Sequence, residues 1–192
     1  MTAMRVSQVF AVLFLAVLIP AMLENHPAAA QTFVPDNELI EAAREGNLEG
    51  ARKALLQGFS VNDRGRDKIP ALVVAAENGH QAMVTFLLAE GARPFIKAYD
   101  DRTALSVAAF GNYLTIAETL LDAGADPDRT GPSHETPLMI AVRAGRLDMV
   151  NLLIARGADL EATDLTGRTA LQMADERRLD AIAGALRAAG AQ

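Results

Sequence analysis

"ETPLMIAVRAGRLDMVNLLIARGADLEATDLTGR", residues 135–168, reads as two short helices followed by a loop. Thr136 before Pro137 is a helix start: the hydroxyl can accept from an early amide, and proline is tolerated at the first helical position. Leu138, Ala141 and Val142 then fall on one face at helical spacing. Gly145 breaks the run. Val150, Leu153 and Ile154 mark a second helix, and Gly157 ends it in the left-handed conformation that a Cβ disfavours. Neither helix is long enough to persist alone in water. The pair must bury its apolar face on neighbours of the same kind.

Such neighbours exist along the chain. The glycines that close the apolar runs, Gly58, Gly91, Gly124, Gly157 and Gly190, follow one another at 33 residues. Leu39, Leu72, Leu105, Leu138 and Leu171 form a ladder with the same step, as do Ala42, Ala75, Ala108, Ala141 and Ala174. Five units in register indicate a stack in which each helix pair covers the next. The mid-unit break carries Gly46, Gly79, Asn112 and Gly145, and asparagine is the non-glycine residue that best tolerates positive φ. Arg178 stands there in the fifth unit, which predicts a different or frayed turn. The ends read as caps, which must be more polar on their outer faces. Asp175 and Arg187 replace apolar residues such as Val142 and Leu88, and Ala51 and Ala54 stand where the second unit has Val84 and Leu87. Asp36 or Asn37 caps the first helix.

These residues closely resemble the ankyrin repeat, whose pattern is met by Thr136-Pro137-Leu138, Ala75-Ala76, Gly79-His80, Val84, Leu87-Leu88 and Gly91-Ala92. The histidine of its T-P-L-H motif is absent, replaced by Ile40, Val73, Ser106, Met139 and Gln172, and Pro70 stands where other units carry Thr. The resemblance implies an all-α ankyrin repeat solenoid of five stacked helix-turn-helix units with short finger loops. It covers 36–192, with units near 36–68, 69–101, 102–134, 135–167 and 168–192.

The first thirty residues differ in kind. Arg5 precedes the apolar run Val9–Ile19, Pro20 interrupts it, and Ala28-Ala29-Ala30 follows a more polar stretch. That order predicts a secretory signal peptide over 1–30, cut between Ala30 and Gln31, with 31–35 as a linker. The run is short for a membrane anchor, which needs about 20 apolar residues. No stable span is expected after cleavage. Apolar residues make up 51% of the chain, so the core has ample material, but with no Trp and few aromatics it must be aliphatic. A net charge of -6 argues against nucleic acid as a partner. The absence of cysteine excludes disulfides, thiol catalysis and Cys-based zinc sites.

Chemistry-bearing motifs are missing. The chain has no phosphate-cradling, serine-hydrolase or zinc-protease signature. His80 sits at the family's G-H position and is expected to be structural, whereas His134 lies in a finger, solvated or touching a partner. "DPDRTG", residues 126–131, resembles the start of a calcium loop, but its twelfth position is Pro137, which cannot supply the required carboxylate. Asp100 and Asp101 are adjacent in a finger and point apart. No catalytic role, cofactor or metal is expected.

What remains is surface. The resemblance implies that a protein partner lies against the finger tips and the exposed positions of each first helix. The candidate contacts are Tyr99, Asp100, Arg102, His134, Glu135 and Arg168 on the fingers, with Phe110 and Arg143 on the helices. Tyr99 and Phe110 are expected to face one groove, since aromatics and arginine dominate interface energetics. The alternative for Phe110 is that it leans on its own stack. The resulting expectation is a monomeric, non-catalytic protein–protein interaction module exported to the bacterial periplasm, binding and supporting or regulating an envelope protein or enzyme. An inhibitor or immunity-type protein that blocks an enzyme, and a secreted effector acting in another cell, stand as alternatives.

Overall fold

The computed structural model describes residues 37–192. The expected signal segment 1–30, the linker 31–35, the Ala30–Gln31 cleavage point and Asp36 lie outside the described residues. The rest forms ten α-helices in five consecutive pairs: α1 Glu38–Glu45 with α2 Leu48–Leu56, α3 Ala71–Glu77 with α4 Gln81–Ala89, α5 Ala104–Gly111 with α6 Leu114–Asp122, α7 Pro137–Arg143 with α8 Leu147–Ala155, and α9 Ala170–Glu176 with α10 Asp180–Ala188. The first helices of successive units pack on one another, and so do the second helices, giving an all-α repeat solenoid of two layers.

The ladders are its core. All five ladder leucines and all five ladder alanines are buried. Burying a leucine contributes about 1.5–3 kcal/mol. The alanines contribute little area but allow the helix axes to approach closely.

The turn chemistry repeats as faithfully. In every unit the residue after the mid-unit break donates its N–H to the ladder alanine's carbonyl: Asn47 to Ala42, His80 to Ala75, Tyr113 to Ala108, Arg146 to Ala141 and Leu179 to Ala174, at 2.9–3.0 Å. That bond requires a left-handed residue before it. Gly46, Gly79, Asn112 and Gly145 supply φ of 71, 72, 60 and 69°. Arg178 supplies 57°. The expectation of a different turn in the fifth unit is therefore corrected: the bond from the Leu179 N–H holds Arg178 in a conformation that costs a non-glycine residue about 1–2 kcal/mol.

The glycine-alanine pair closing the last four units works in the same way. Behind Gly91, Gly124, Gly157 and Gly190, all left-handed, the N–H groups of Ala92, Ala125, Ala158 and Ala191 bond carbonyls of Leu87, Leu120, Leu153 and Leu186 at 2.9–3.0 Å. These alanines are buried as well.

Helix starts follow the side chains available. Asn37 caps α1 by accepting from the Leu39 N–H at 2.9 Å. Thr103, Thr136 and Thr169 accept from the third helical amide of α5, α7 and α9. Pro70 offers no such bond. Where the missing motif histidine is replaced by a polar residue, the cap becomes reciprocal, with Ser106 and Gln172 accepting from the N–H of Thr103 and Thr169.

At the far end, Arg187 donates to both carboxylate oxygens of Asp175 at 2.7 and 2.6 Å, so the two polar substitutions of the fifth unit meet across α9 and α10. Ala51 and Ala54 are fully buried in the first unit.

Each finger between units is closed by a backbone bond across its base. The N–H groups of Gly65, Ala98, Gly131 and Asp164 donate to the carbonyls of Ile69, Arg102, Glu135 and Arg168. The last finger has a side-chain brace as well. The Asp164 carboxylate accepts from the Thr166 hydroxyl and N–H at 2.6 and 2.8 Å, from the Arg168 N–H at 3.0 Å, and from the Arg168 guanidinium. Those bonds, the Thr166 hydroxyl foremost, hold the carboxyl far below the usual carboxylate range. The sign follows: with the folded pKa depressed below an unfolded value of about 3.9, the contribution is present above that value and is lost as pH falls toward the folded pKa. Asp164→Asn is expected to flatten the decline of stability between about pH 5 and pH 2. Urea midpoints of both proteins across that range check it, and parallel declines would show that Asp164 is not a source of the acid sensitivity.

Candidate functional site

A pocket of about 410 Å³ opens where the third unit meets the fourth, beside the finger 131–135. Its lining includes Val107 and Ile140, neighbours in the stack one repeat apart, together with Phe110, Pro132, Ser106 and Tyr113. The sequence explains why the hollow forms here. At the position of the missing motif histidine the flanking units place Val73 and Met139, and the third unit places the smaller Ser106. Gly131 faces the same place; a Cβ added to it would touch Ser106 Cβ and Ile140 Cδ1, each at 3.6 Å.

Charged groups frame this apolar lining. In the fourth and fifth units the finger residue before the helix cap pairs with the end of its own first helix: Glu135 with Arg143 and Arg168 with Glu176. In the third unit that helix position is Phe110, which cannot pair. Arg102 instead reaches back to Glu77 of the second unit and also holds Asp100 at 2.6 Å. Burial works against the Arg102 charge, but its bonds to Asp100 and Glu77 outweigh it and raise its pKa. On the other side the Arg143 guanidinium lies over the Phe110 ring, 5.9 Å from its centroid, a cation–π geometry.

The expected contact residues thus separate into groups. Tyr99 is 69% exposed on its finger tip and Phe110 55% exposed on its helix. Phe110 lines the pocket, whereas Tyr99 stands on a finger tip and is not part of its lining. His134 is exposed. It occupies a finger turn in which Ser133 and His134 both have φ near 60°. Glu135 was expected at the surface and is buried. Both its oxygens accept from Arg143 Nε, at 3.0 and 3.1 Å, because an ionised carboxylate under the finger needs such a donor. Asp100, Arg102 and Arg168 are tied into ion pairs that stiffen the fingers.

His80 is structural as expected. Its Nε2 lies 2.9 Å from the Arg44 carbonyl, joining the second unit to the first. Asp126 and Asp128 are also used within the stack: Asp126 accepts from the Asp128 N–H at 2.9 Å, and Asp128 accepts from the Asp159 N–H of the next unit at 2.8 Å. Asn62 and Glu161 make the equivalent bond to Arg93 and Gln192. Among the described residues no group of three or more His, Cys, Asp or Glu is placed to hold a metal, and no helix is long and apolar enough to cross a membrane.

Tyr113 also lines the pocket, and the repeat pattern does not mark it. It occupies the position of His80, one repeat on, and its ring lies against two glycines. A Cβ at Gly111 would stand 2.4 Å from the ring, and one at Gly79 would stand 2.8 Å from it. Gly→Ala at a helical position ordinarily stabilises by roughly 0.5–1 kcal/mol. Gly111→Ala is expected instead to destabilise by about 1–3 kcal/mol through overpacking, and the loss should vanish in a Tyr113→Ala background. Denaturant melts of the four proteins complete that cycle.

Two family models match the chain: ankyrin repeats (3 copies) over residues 39–131 and ankyrin repeats (many copies) over residues 120–174. The chain belongs to the ankyrin repeat family. Among curated proteins, it is similar to the mitochondrial disaggregase of Bos taurus, 44% identical over 59 residues, which are 31% of this chain and 9% of that protein. The mitochondrial disaggregase of Homo sapiens is 42% identical over 59 residues, 31% of this chain and 8% of that protein. The match therefore spans less than a tenth of either relative. Ankyrin repeats generally serve as non-catalytic protein-interaction modules, and the exposed aromatics and framed pocket of this ankyrin stack form a surface of the corresponding kind.

Proposed function

We propose that this protein is a non-catalytic binding module exported to the bacterial periplasm, where it holds an envelope protein or enzyme and supports or regulates it. The observation that carries the binding role is Phe110. A phenylalanine stands half exposed at a helix position where the other units carry Arg44, Glu77, Arg143 and Glu176, and it lines a pocket between the third and fourth units. Export is supported by the order Arg5, Val9–Ile19 and Ala28-Ala29-Ala30.

The test begins with expression of the full chain, followed by fractionation and N-terminal sequencing. A periplasmic protein starting at Gln31 is expected, and a chain that retains Met1 in the membrane pellet would overturn the export claim. The tagged mature protein is then used to capture partners from an envelope extract. One stable partner is expected. When that partner is an enzyme, adding purified protein distinguishes a helper, which preserves or raises activity, from an inhibitor, which abolishes it.

A further inference from the structure

We propose that the pocket between the third and fourth units anchors an extended partner segment in which a bulky apolar side chain is followed by an acidic one. The inference rests on the protein-binding reading and adds the chemistry of the ligand. The apolar half of the requirement comes from the lining: Val107 and Ile140 at the base, the exposed Phe110 ring at the side, and the space left by Ser106. A volume of about 410 Å³ admits an aromatic or large aliphatic side chain.

The acidic half comes from Arg143. Of the charged side chains that line the pocket, two are arginine, Arg102 and Arg143, and one is glutamate, Glu77. Arg102 is occupied by Glu77 and Asp100. Arg143 is held differently. Glu135 takes its Nε with both oxygens, and among the described residues neither terminal nitrogen of Arg143 donates a hydrogen bond. The buried carboxylate therefore orients the guanidinium over the Phe110 ring and leaves its terminal nitrogens open. That edge is suited to a carboxylate, which guanidinium binds in a planar two-point geometry. An internal segment, rather than a chain terminus, fits the surroundings. Tyr99, Pro132 and Leu165 occupy equivalent tips of three successive fingers, and all three are exposed, so apolar surface continues on both sides of the pocket.

The probes are capped dipeptides, acetyl-Phe-Glu-amide with acetyl-Phe-Gln-amide, acetyl-Phe-Lys-amide and acetyl-Ala-Glu-amide as controls. Each is titrated at low salt into the mature protein while amide NMR shifts are followed. The Phe-Glu probe is expected to shift Phe110, Gly111 and Ile140 and to bind about fivefold or more tightly than Phe-Gln, a difference on the order of 1 kcal/mol. Arg143→Gln should remove the Glu-over-Gln preference. Because that change unpairs the buried Glu135, Ser106→Val serves as the second variant, with circular dichroism as its folding control because it gives up the Ser106 acceptor of the Thr103 N–H. It fills the pocket with the residue type that the second unit carries at Val73, and it should abolish binding of every probe. Equal binding of Phe-Glu and Phe-Gln, or preference for Phe-Lys, would overturn the acidic requirement. Binding unchanged by Ser106→Val, or no shifts at these residues at millimolar probe, would overturn the pocket as the anchor. If an envelope protein is captured equally well by wild type and Ser106→Val, the pocket inference fails while the protein-binding reading stands.

Discussion

Leu105→Ala is expected to destabilise the stack by about 2–5 kcal/mol, which is a large share of the total stability of a domain this size. Leu105 is 1% exposed on α5, and α5 packs against the first helices of the units on both sides. The flanking first helices are themselves fixed by the turn bonds to the Ala75 and Ala141 carbonyls. Such a site collapses poorly, which places the cost toward the upper part of the range. Leu171 is the contrasting position. It is 7% exposed on α9, which has a first-helix neighbour on one side only. Leu171→Ala should therefore cost less. In a stack whose stability is a sum of unit and nearest-neighbour terms, the central loss also weakens two interfaces rather than one. Urea melts of both variants decide the ordering. Equal losses would show that the fifth unit is as tightly coupled as the third, and that the Asp175–Arg187 pair does more than cap the end.

How much of this was legible beforehand depends on the distance over which each bond acts. The period fixed which leucines and alanines are buried, because those contacts recur in every unit. It fixed the glycine-alanine closing turn for the same reason. The Arg178 turn was misread because its residue preference was weighed alone, while the bond from the Leu179 N–H to the Ala174 carbonyl sets the conformation. The burial of Glu135 is not legible from its finger position, because its partner, Arg143, lies on the helix that follows. Asp164 was missed outright. It stands where other fingers have Gly65, Ala98 and Gly131, so nothing in the repeat pattern marked it as the acceptor of five hydrogen bonds. Tyr113 and Ser106 share that difficulty. Tyr113 fits where the preceding unit lacks a Cβ at Gly79, and Ser106 faces the missing Cβ of Gly131 in its own unit's finger. The signal available was the departure of one unit from its siblings, and it is that signal which marks Phe110 as exposed where other units carry charge.

The double substitution Tyr99→Ala with Phe110→Ala is expected to weaken binding of the captured partner by at least about 2 kcal/mol, roughly thirtyfold, while leaving helical content unchanged. Neither side chain belongs to the buried ladders, and both are more than half exposed, so the fold does not depend on them. Their separation in the structure divides the prediction. Phe110 lines the pocket and carries Arg143 over its ring, so its removal strips the hollow of a wall and loosens the guanidinium above it. Tyr99 stands on a finger tip outside the hollow and contributes only where the partner crosses the tips. The single Phe110→Ala change should therefore account for most of the loss, and Tyr99→Ala for a smaller part. Because the two side chains do not share the pocket, their effects should be close to additive. Titration of the partner against wild type, both single variants and the double variant measures this, with circular dichroism as the control for folding. A folded double variant of unchanged affinity would move the interface to other surfaces of the stack, and a steep fall of that affinity with salt would point to its charged fingers. A double variant that unfolds would mean that Phe110 supports α5 from the groove side, and that its exposure reflects packing at the edge of the core.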